Sequence, residues 1–365
     1  MKIIVTGGAG FIGSNAVSRY LRRGDDVIVI DDLSREGAQS NLEWLRQQGW
    51  FEFAHLDVRN RQAMEGLFRR HSDADCVLHL AAQVAVTSSV AAPRTDFEVN
   101  AMGTFNVLEA MRQAEMRGLL IYTSTNKVYG DMNDIAIREE DGRYCYVEFS
   151  SGISEERPID FHSPYGCSKG AADRYVIDYH RIYGLRSTVF RQSCIFGPRQ
   201  FGVEDQGWVA WLMIASSIEA PITVFGDGKQ ARDILFVEDV LDAYDAAMLA
   251  GDTAVGRTYN IGGGPTNVLS VKDLLHYIEK LQRRPVPHRY GPWRAGDQKI
   301  FISDIRRAGI DLRWKPMTDY RNGLQILYDW ICMNRASFRE SLMCRLAASY
   351  NRPPRMTAAT FRGNP

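Results

Sequence analysis

Lys2-Ile3-Ile4-Val5-Thr6-Gly7-Gly8-Ala9-Gly10-Phe11-Ile12-Gly13 opens the chain as an apolar run that passes into spaced glycines and then a helical pattern. A buried strand, a glycine turn and a helix in that order form the arrangement that binds a dinucleotide pyrophosphate. Gly7 permits the tight turn, Gly10 lets backbone amides approach the phosphates, and Gly13 lets the helix pack against the strand. Phe11 and Ile12 lie within that turn, at the positive end of the helix where free N–H groups face an anion. The next apolar run, Asp26 to Ile30, ends in Asp31-Asp32. A carboxylate there accepts hydrogen bonds from an adenosine ribose and repels a 2′-phosphate, so NAD is expected as cofactor, with Arg35 leaving NADP open.

Outward from this turn, short apolar runs at 26–30, 50–56, 75–80 and 118–123 read as buried parallel strands. Helical patterns near 11–23, 38–48, 60–70, 93–116 and 165–184 separate them, and a strand from Ser187 to Arg191 follows. The alternation predicts an α/β fold: a doubly wound parallel sheet of Rossmann type, with ligands at the carboxyl ends of the strands. Beyond Ser193 the rhythm breaks, with helices expected near 208–217, 238–250, 270–283 and 318–334 and strands near 222–225 and 257–260. The predicted organisation is an NAD-binding domain over 1–192 with return segments at about 226–262. A smaller mixed α/β substrate lobe occupies 193–225 and 263–334, and a basic, partly disordered tail 335–365.

Composition excludes several classes. The 365 residues carry 44 basic and 44 acidic side chains, so no global field draws nucleic acid or an anionic membrane. No apolar run is long enough for a membrane span, and the chain enters a strand at once, so no secretory signal is expected. None of the six cysteines forms a Cys-x-x-Cys pair, which argues against a metal site or disulfide framework and for a reduced, cytoplasmic setting. His79 and His162 have no ligand partner at useful spacing and are expected to be structural.

Tyr165-Gly166-Cys167-Ser168-Lys169 follows Ser163-Pro164. Helical spacing of four puts the phenol and the ammonium on one face, where the cation is expected to lower the phenol's pKa from about 10 towards neutrality. Such a tyrosine can take a proton from a sugar hydroxyl while hydride leaves the same carbon. A hydroxyl at the end of the fifth strand can hold the substrate oxygen; Thr125 is the first candidate and Ser124 the second.

Thr6 to Gly13, Asp57-Val58, His79-Leu80-Ala81-Ala82, Asn100, Thr125-x-x-x-Tyr129-Gly130 and Tyr165-x-x-x-Lys169 together resemble the extended short-chain dehydrogenase/reductase family, over roughly residues 1–332. Its members are nucleotide-sugar epimerases, dehydratases and decarboxylases. The resemblance implies a catalytic set of Thr125, Tyr165 and Lys169, the last two also touching the cofactor. It places Asp57 and Val58 at the adenine, Leu80, Ala81, Ala82 and Gln83 along the cofactor, and Asn100 in the nicotinamide-side network. Arg232 and Arg294 would hold the substrate pyrophosphate, as guanidinium forks suit phosphate. Asn126, Arg199, Gln200 and Gln206 would meet the sugar or base.

Dehydratases of the family carry Asp-Glu directly after the catalytic Thr, where this chain has Asn126-Lys127. An amide and an ammonium cannot act as those carboxylates, so oxidation and re-reduction without loss of water is expected, unless another loop supplies the acid. Further stretches are similar to a subgroup of epimerases that invert carbon 2 of CDP-linked deoxyhexoses. They include Asp160 to Asp173, Arg199-Gln200-Phe201, Asp205 to Val209, Gly228-Lys229-Gln230-x-Arg232-Asp233 and Asp297-Gln298. Phe196-Gly197-Pro198 and Gln192 depart from that subgroup's pattern. Inversion at carbon 4 of a UDP-sugar, another oxidoreductase or decarboxylase activity, and a binding protein without catalysis stay open. Helices near 93–116 and 165–184 resemble those that pair across family dimers, implying a homodimer or homotetramer.

Overall fold

The opening run Lys2–Thr6 (β1) lies in the middle of a seven-stranded parallel sheet in the computed structural model, which describes residues 1–294 and 296–350. The other strands are Asp26–Asp31 (β2), Glu52–His55 (β3), Cys76–His79 (β4), Leu119–Thr125 (β5), Ser187–Gln192 (β6) and Thr258–Ile261 (β7), in the order β7-β6-β5-β4-β1-β2-β3. Side chains alternate between two cores. Ile3, Val5, Val27 and Val29 enter one, and Ile4, Ile28, Ile30 and Val77 the other. Both faces are covered, which explains the nearly unbroken apolar runs. The chain winds outward from β1 through β2 to β3, then crosses to β4 on the other side. That reversal opens a crevice beyond the carboxyl ends of β1 and β4, the usual ligand position in such sheets.

Helices including Phe11–Arg23 (α1), Ser163–Tyr183 (α2) and Trp208–Ile218 (α3) fall where the periodicity placed them, while Val86–Ala91 and Arg306–Asp311 had no expected counterpart. The pattern at 93–116 is not one helix. Pro93–Phe97 and Gly103–Gln113 are joined by a wide turn over Glu98–Met102, inside which Asn100 is buried. Thr104 Oγ1 donates to the Asn100 carbonyl at 2.6 Å, a side-chain bond of the kind that widens a helix.

The return segments divide. Ala231–Phe236 does not rejoin the large sheet; it pairs with Cys194–Phe196, Val268–Ser270 and Ile300–Phe301 in the second lobe. Val237–Ala250 and β7 do rejoin the first domain, through Val240, Leu241, Tyr244 and Tyr259. Arg335–Tyr350, expected within the disordered tail, forms a helix (α4) whose Phe338 is buried against Trp330 and Phe201, ring centroids 5.4 Å from both. The remainder of that tail, 351–365, lies outside the described residues.

One hairpin, Ile137–Glu140 with Arg143–Tyr146, has no counterpart among the expected elements. Its Asp141-Gly142 turn has φ of 51° and 76°, the sign required at both central positions of a tight hairpin turn. A Cβ on Gly142 would meet nothing within 4 Å, so only the backbone resists substitution. Gly142→Ala is therefore expected to cost about 1 kcal/mol, seen as an earlier midpoint in denaturant titration with unchanged slope.

Candidate active site

The crevice is a cleft of about 760 Å³ between the two lobes. Its dinucleotide half is built by the glycine turn. Gly7 has φ +69°, and a Cβ on it would sit 2.7 Å from the Ala81 nitrogen. A Cβ on Gly13 would sit 2.1 Å from the Gly7 carbonyl oxygen, so only glycine lets α1 approach β1. Gly10 meets only the Gly7 oxygen, at 3.1 Å, and otherwise faces open space. Gly10 also caps α1 with no side-chain bond and no acid follows in the first turn, so the amides of Phe11, Ile12 and Gly13 are left for an anion. This cradle fits a dinucleotide pyrophosphate.

Asp31 is 7% exposed. Its carboxylate accepts the Ala9 N–H at 2.9 Å and the Leu33 N–H at 2.8 Å, tying the end of β2 to the glycine turn while lone pairs remain for a ligand. Burial raises its pKa, and those backbone bonds oppose the rise. Asp32 is exposed and accepts from Ser34 Oγ at 2.7 Å. Asp57 is held below the usual carboxylate range by Arg59, whose Nε lies 2.9 Å from Oδ2. Val58 is buried, and its carbonyl accepts from Asn106 Nδ2 at 2.9 Å.

His79 is structural. Thr104 Oγ1 spends its proton on the Asn100 carbonyl, so it accepts from His79 Nε2–H at 3.0 Å. The other ring nitrogen then accepts from Thr6 Oγ1 at 2.6 Å, and Thr6 in turn accepts the Ala81 N–H at 3.2 Å. Burial, reinforced by Lys169, pushes the imidazole pKa down to about 3, so the ring is neutral.

At the floor of the cleft, Tyr165 is 8% exposed and lines the site with Thr125, which favours its phenolate. Lys169, 3% exposed, donates from Nζ to the Thr123 carbonyl at 2.5 Å and lies 4.4 Å from the Tyr122 ring centroid. The expected lowering of the phenol towards neutrality is not found in the protein alone. Burial pushes Tyr165 up to about 12, with Thr125 opposing and Asp96 adding to the rise. Burial likewise pushes Lys169 down to about 7, against Asp173 and Asp96. Desolvation is the largest effect on both groups, and the ammonium donates to the Thr123 carbonyl. Ser124, the second candidate hydroxyl, donates to Asp173 at 2.9 Å and is spoken for.

Leu80, Ala81, Ala82 and Gln83 line the same cleft. Asn100 does not. It lies beneath, accepting the Gln83 N–H at 2.9 Å and donating to the Gln83 carbonyl at 3.0 Å, so it holds that wall in place.

Asn126, Gln200, Gln206, Arg232 and Arg294 line the same cleft. Asn126 Nδ2 reaches Gln298 Oε1 at 3.5 Å, and Arg232 donates to the Gln298 carbonyl at 2.5 Å. Arg294 lies 3.6 Å from the Phe225 ring centroid and 3.3 Å from Asp205. Gln200 is buried, and its Oε1 has no partner among the described residues, an acceptor left for a ligand donor. Arg199, expected at the sugar or base, lines the same cleft. Its guanidinium sits 4.0 Å from the Trp44 ring centroid and its carbonyl accepts from Asn41 at 3.3 Å. Among the described residues no group of His, Cys, Asp or Glu could hold a metal ion, and no helix is long and apolar enough to cross a membrane.

The expectations had missed the buried layer under the site: Asp96 and Ser168, bonded at 2.5 Å, and Asp173 with Arg191 at 3.0 Å. Helical spacing carried a signal, since Asp173 falls four residues after Lys169 and Asp96 four before Asn100.

The model of the NAD dependent epimerase/dehydratase family matches residues 3–262. The CDP-paratose 2-epimerase of Salmonella typhi is 44% identical over 335 residues, covering 90% of this chain and 99% of that protein. The crystal structure of a UDP-glucose 4-epimerase from Thermotoga maritima with UDP-glucose superposes with a TM-score of 0.78 at 30% identity, covering 94% of this chain and 100% of that one. The UDP-glucuronic acid 4-epimerase of Bacillus cereus, solved with UDP-glucuronic acid and NAD, gives 0.79 at 27% identity, covering 91% and 99%.

Proposed function

The chain belongs to the NAD dependent epimerase/dehydratase family, and from that premise we propose that it inverts carbon 2 of a CDP-linked deoxyhexose through a transient keto sugar. The observation that carries the reading is that Thr125, Tyr165 and Lys169 line the same cleft as the glycine cradle. The 44% identity to a CDP-paratose 2-epimerase supports carbon 2 and the CDP carrier, and Asn126-Lys127 in place of two carboxylates supports epimerisation over dehydration.

The cofactor is NAD, held by the glycine turn, Asp31 and the wall from Leu80 to Gln83. When bound, NAD would supply the hydride acceptor and donor for the sugar carbon and a positive charge that favours the phenolate of Tyr165. Thr125 orients the reacting hydroxyl, and Tyr165 takes its proton as the carbon–oxygen bond becomes a carbonyl. Lys169 adds positive charge beside the phenolate. Arg232 and Arg294 keep the pyrophosphate in place while the keto sugar turns over. Tyr165 then returns the proton to the oxygen of the inverted carbon, so no proton, hydride or water is gained or lost.

The test is NMR of CDP- and UDP-sugars with the enzyme in heavy water. Inversion at carbon 2 of the CDP-sugar with no solvent deuterium at that carbon is expected. Deuterium there would show direct proton abstraction, and inversion at carbon 4 of the UDP-sugar would show the other epimerase. The same reading includes a cytoplasmic homodimer or homotetramer. It is supported by exposed Phe97, Met102, Tyr175, Ile182 and Tyr183 on the two helical segments named for pairing, and light scattering decides it.

A further inference from the structure

Lys127 has no role in the scheme above, yet it lines the cleft two residues beyond Thr125. Its backbone N–H donates to Thr125 Oγ1 at 3.2 Å, so the two residues are held as one unit. Its Nζ donates to the Gly296 carbonyl at 3.0 Å. That is its one hydrogen bond from Nζ among the described residues, so two of the three N–H donors of an ammonium remain. The charged and titratable groups around it are Arg232, Asp297, Cys194 and Asp131. Burial pushes its pKa down to about 8, Arg232 acts in the same direction, and the other three oppose. A buried cation kept beside another cation gains most from an anionic ligand shared between them.

The substrate's own geometry says where that anion falls. Carbon 2 is bonded to the anomeric carbon, which carries the β-phosphate, whereas carbon 4 lies across the ring. Presenting carbon 2 to Thr125 and Tyr165 therefore requires the β-phosphate to advance further towards them than presenting carbon 4 does. Arg232 and Arg294 stand on the lobe side of the cleft, with Arg294 drawn towards Asp205 and Glu204. Lys127 stands on the catalytic side.

We propose that Lys127 binds the β-phosphate of the nucleotide sugar and, by drawing it towards Thr125, selects carbon 2 as the carbon that meets Tyr165. The inference rests on the carbon 2 epimerase reading. Two nucleotides separate this contact from a general structural effect, because CDP has a β-phosphate and CMP has none. In Lys127→Met the inhibition constant of CDP is expected to rise about ten- to a hundredfold, the loss of one charged hydrogen bond, while that of CMP stays within about twofold. Carbon 2 epimerisation falls by a similar factor in kcat/KM, Lys127→Arg restores most of it, and bound NAD content reports an intact dinucleotide half. Lys127→Gln gives the same comparison should the methionine variant not fold. Equal weakening of CDP and CMP, or a Lys127→Met enzyme with kcat/KM within about threefold of wild type, overturns the assignment while leaving the epimerase reading in place. A wild-type enzyme that does not invert carbon 2 in the same assay overturns both.

Discussion

Tyr165→Phe is expected to lower kcat by about a thousandfold, within the range that a positioned acid–base group contributes, with cofactor content and KM near wild type. The phenol is 8% exposed, and Thr125 favours the charged form of its oxygen. Phenylalanine fills the same volume and removes only that oxygen. Thr125 is not orphaned by the change, because its Oγ1 also accepts the Lys127 N–H and lies 3.4 Å from Asn126 Oδ1. The fold at this point rests on the backbone of α2, where the Tyr165 N–H donates to Ser89 Oγ at 3.2 Å, and that bond is untouched. The loss therefore falls on proton transfer. In the protein alone burial holds the phenol protonated, at about 12, so the phenolate needs positive charge assembled around it. Steady-state kinetics, NAD released on denaturation and a melting curve check the three parts together. A variant with kcat within about tenfold of wild type would mean that another group carries the proton.

What was legible in the sequence was local. The glycine turn, the acid after β2 and the Tyr-x-x-x-Lys pair each fit within one strand–turn–helix unit or one helical turn, so spacing alone places them. All named site residues but Asn100 reach one cleft, because a doubly wound sheet gathers its strand ends there. What failed depended on partners distant in the chain. The phenol's pKa reads as lowered when only Lys169 is considered. Burial, which spacing does not report, reverses the sign. Ala231–Phe236 has strand character that does not say which sheet receives it. The Asp141-Gly142 turn is a different case, since its signal was present in the sequence as a two-residue hairpin turn.

Asp173→Asn is the second large effect, and it acts first on stability. Asp173 is fully buried and accepts from Arg191 at 3.0 and 3.2 Å, from Ser124 at 2.9 Å and from Arg174. Burial alone would raise its pKa, but Arg191 and Arg174 hold it below the usual carboxylate value. A carboxyl depressed in the folded state contributes stability above its unfolded pKa, about 4, and loses it as the pH falls through the lower folded value. The contribution is thus complete at neutral pH. Replacing the carboxylate by an amide leaves the Arg191 guanidinium, 3% exposed, without its counter-charge, with one amide oxygen and the Tyr129 hydroxyl at 3.0 Å as remaining acceptors. Breaking one side of such a pair costs about 3–5 kcal/mol, a large part of the stability of an ordinary domain. Asp173 is also the first of the groups that favour the charged form of Lys169. Its loss moves the Lys169 pKa further down, so the folded fraction is expected to lose activity at neutral pH and recover some of it in mild acid. Asp173→Asn with Arg191→Met separates the two effects. Removing both partners of a buried pair is often near neutral for stability, so the melting temperature returns most of the way. Activity at neutral pH does not, because Lys169 still lacks its counter-charge. Recovery of both in the double variant would show that Asp173 acts on the fold alone.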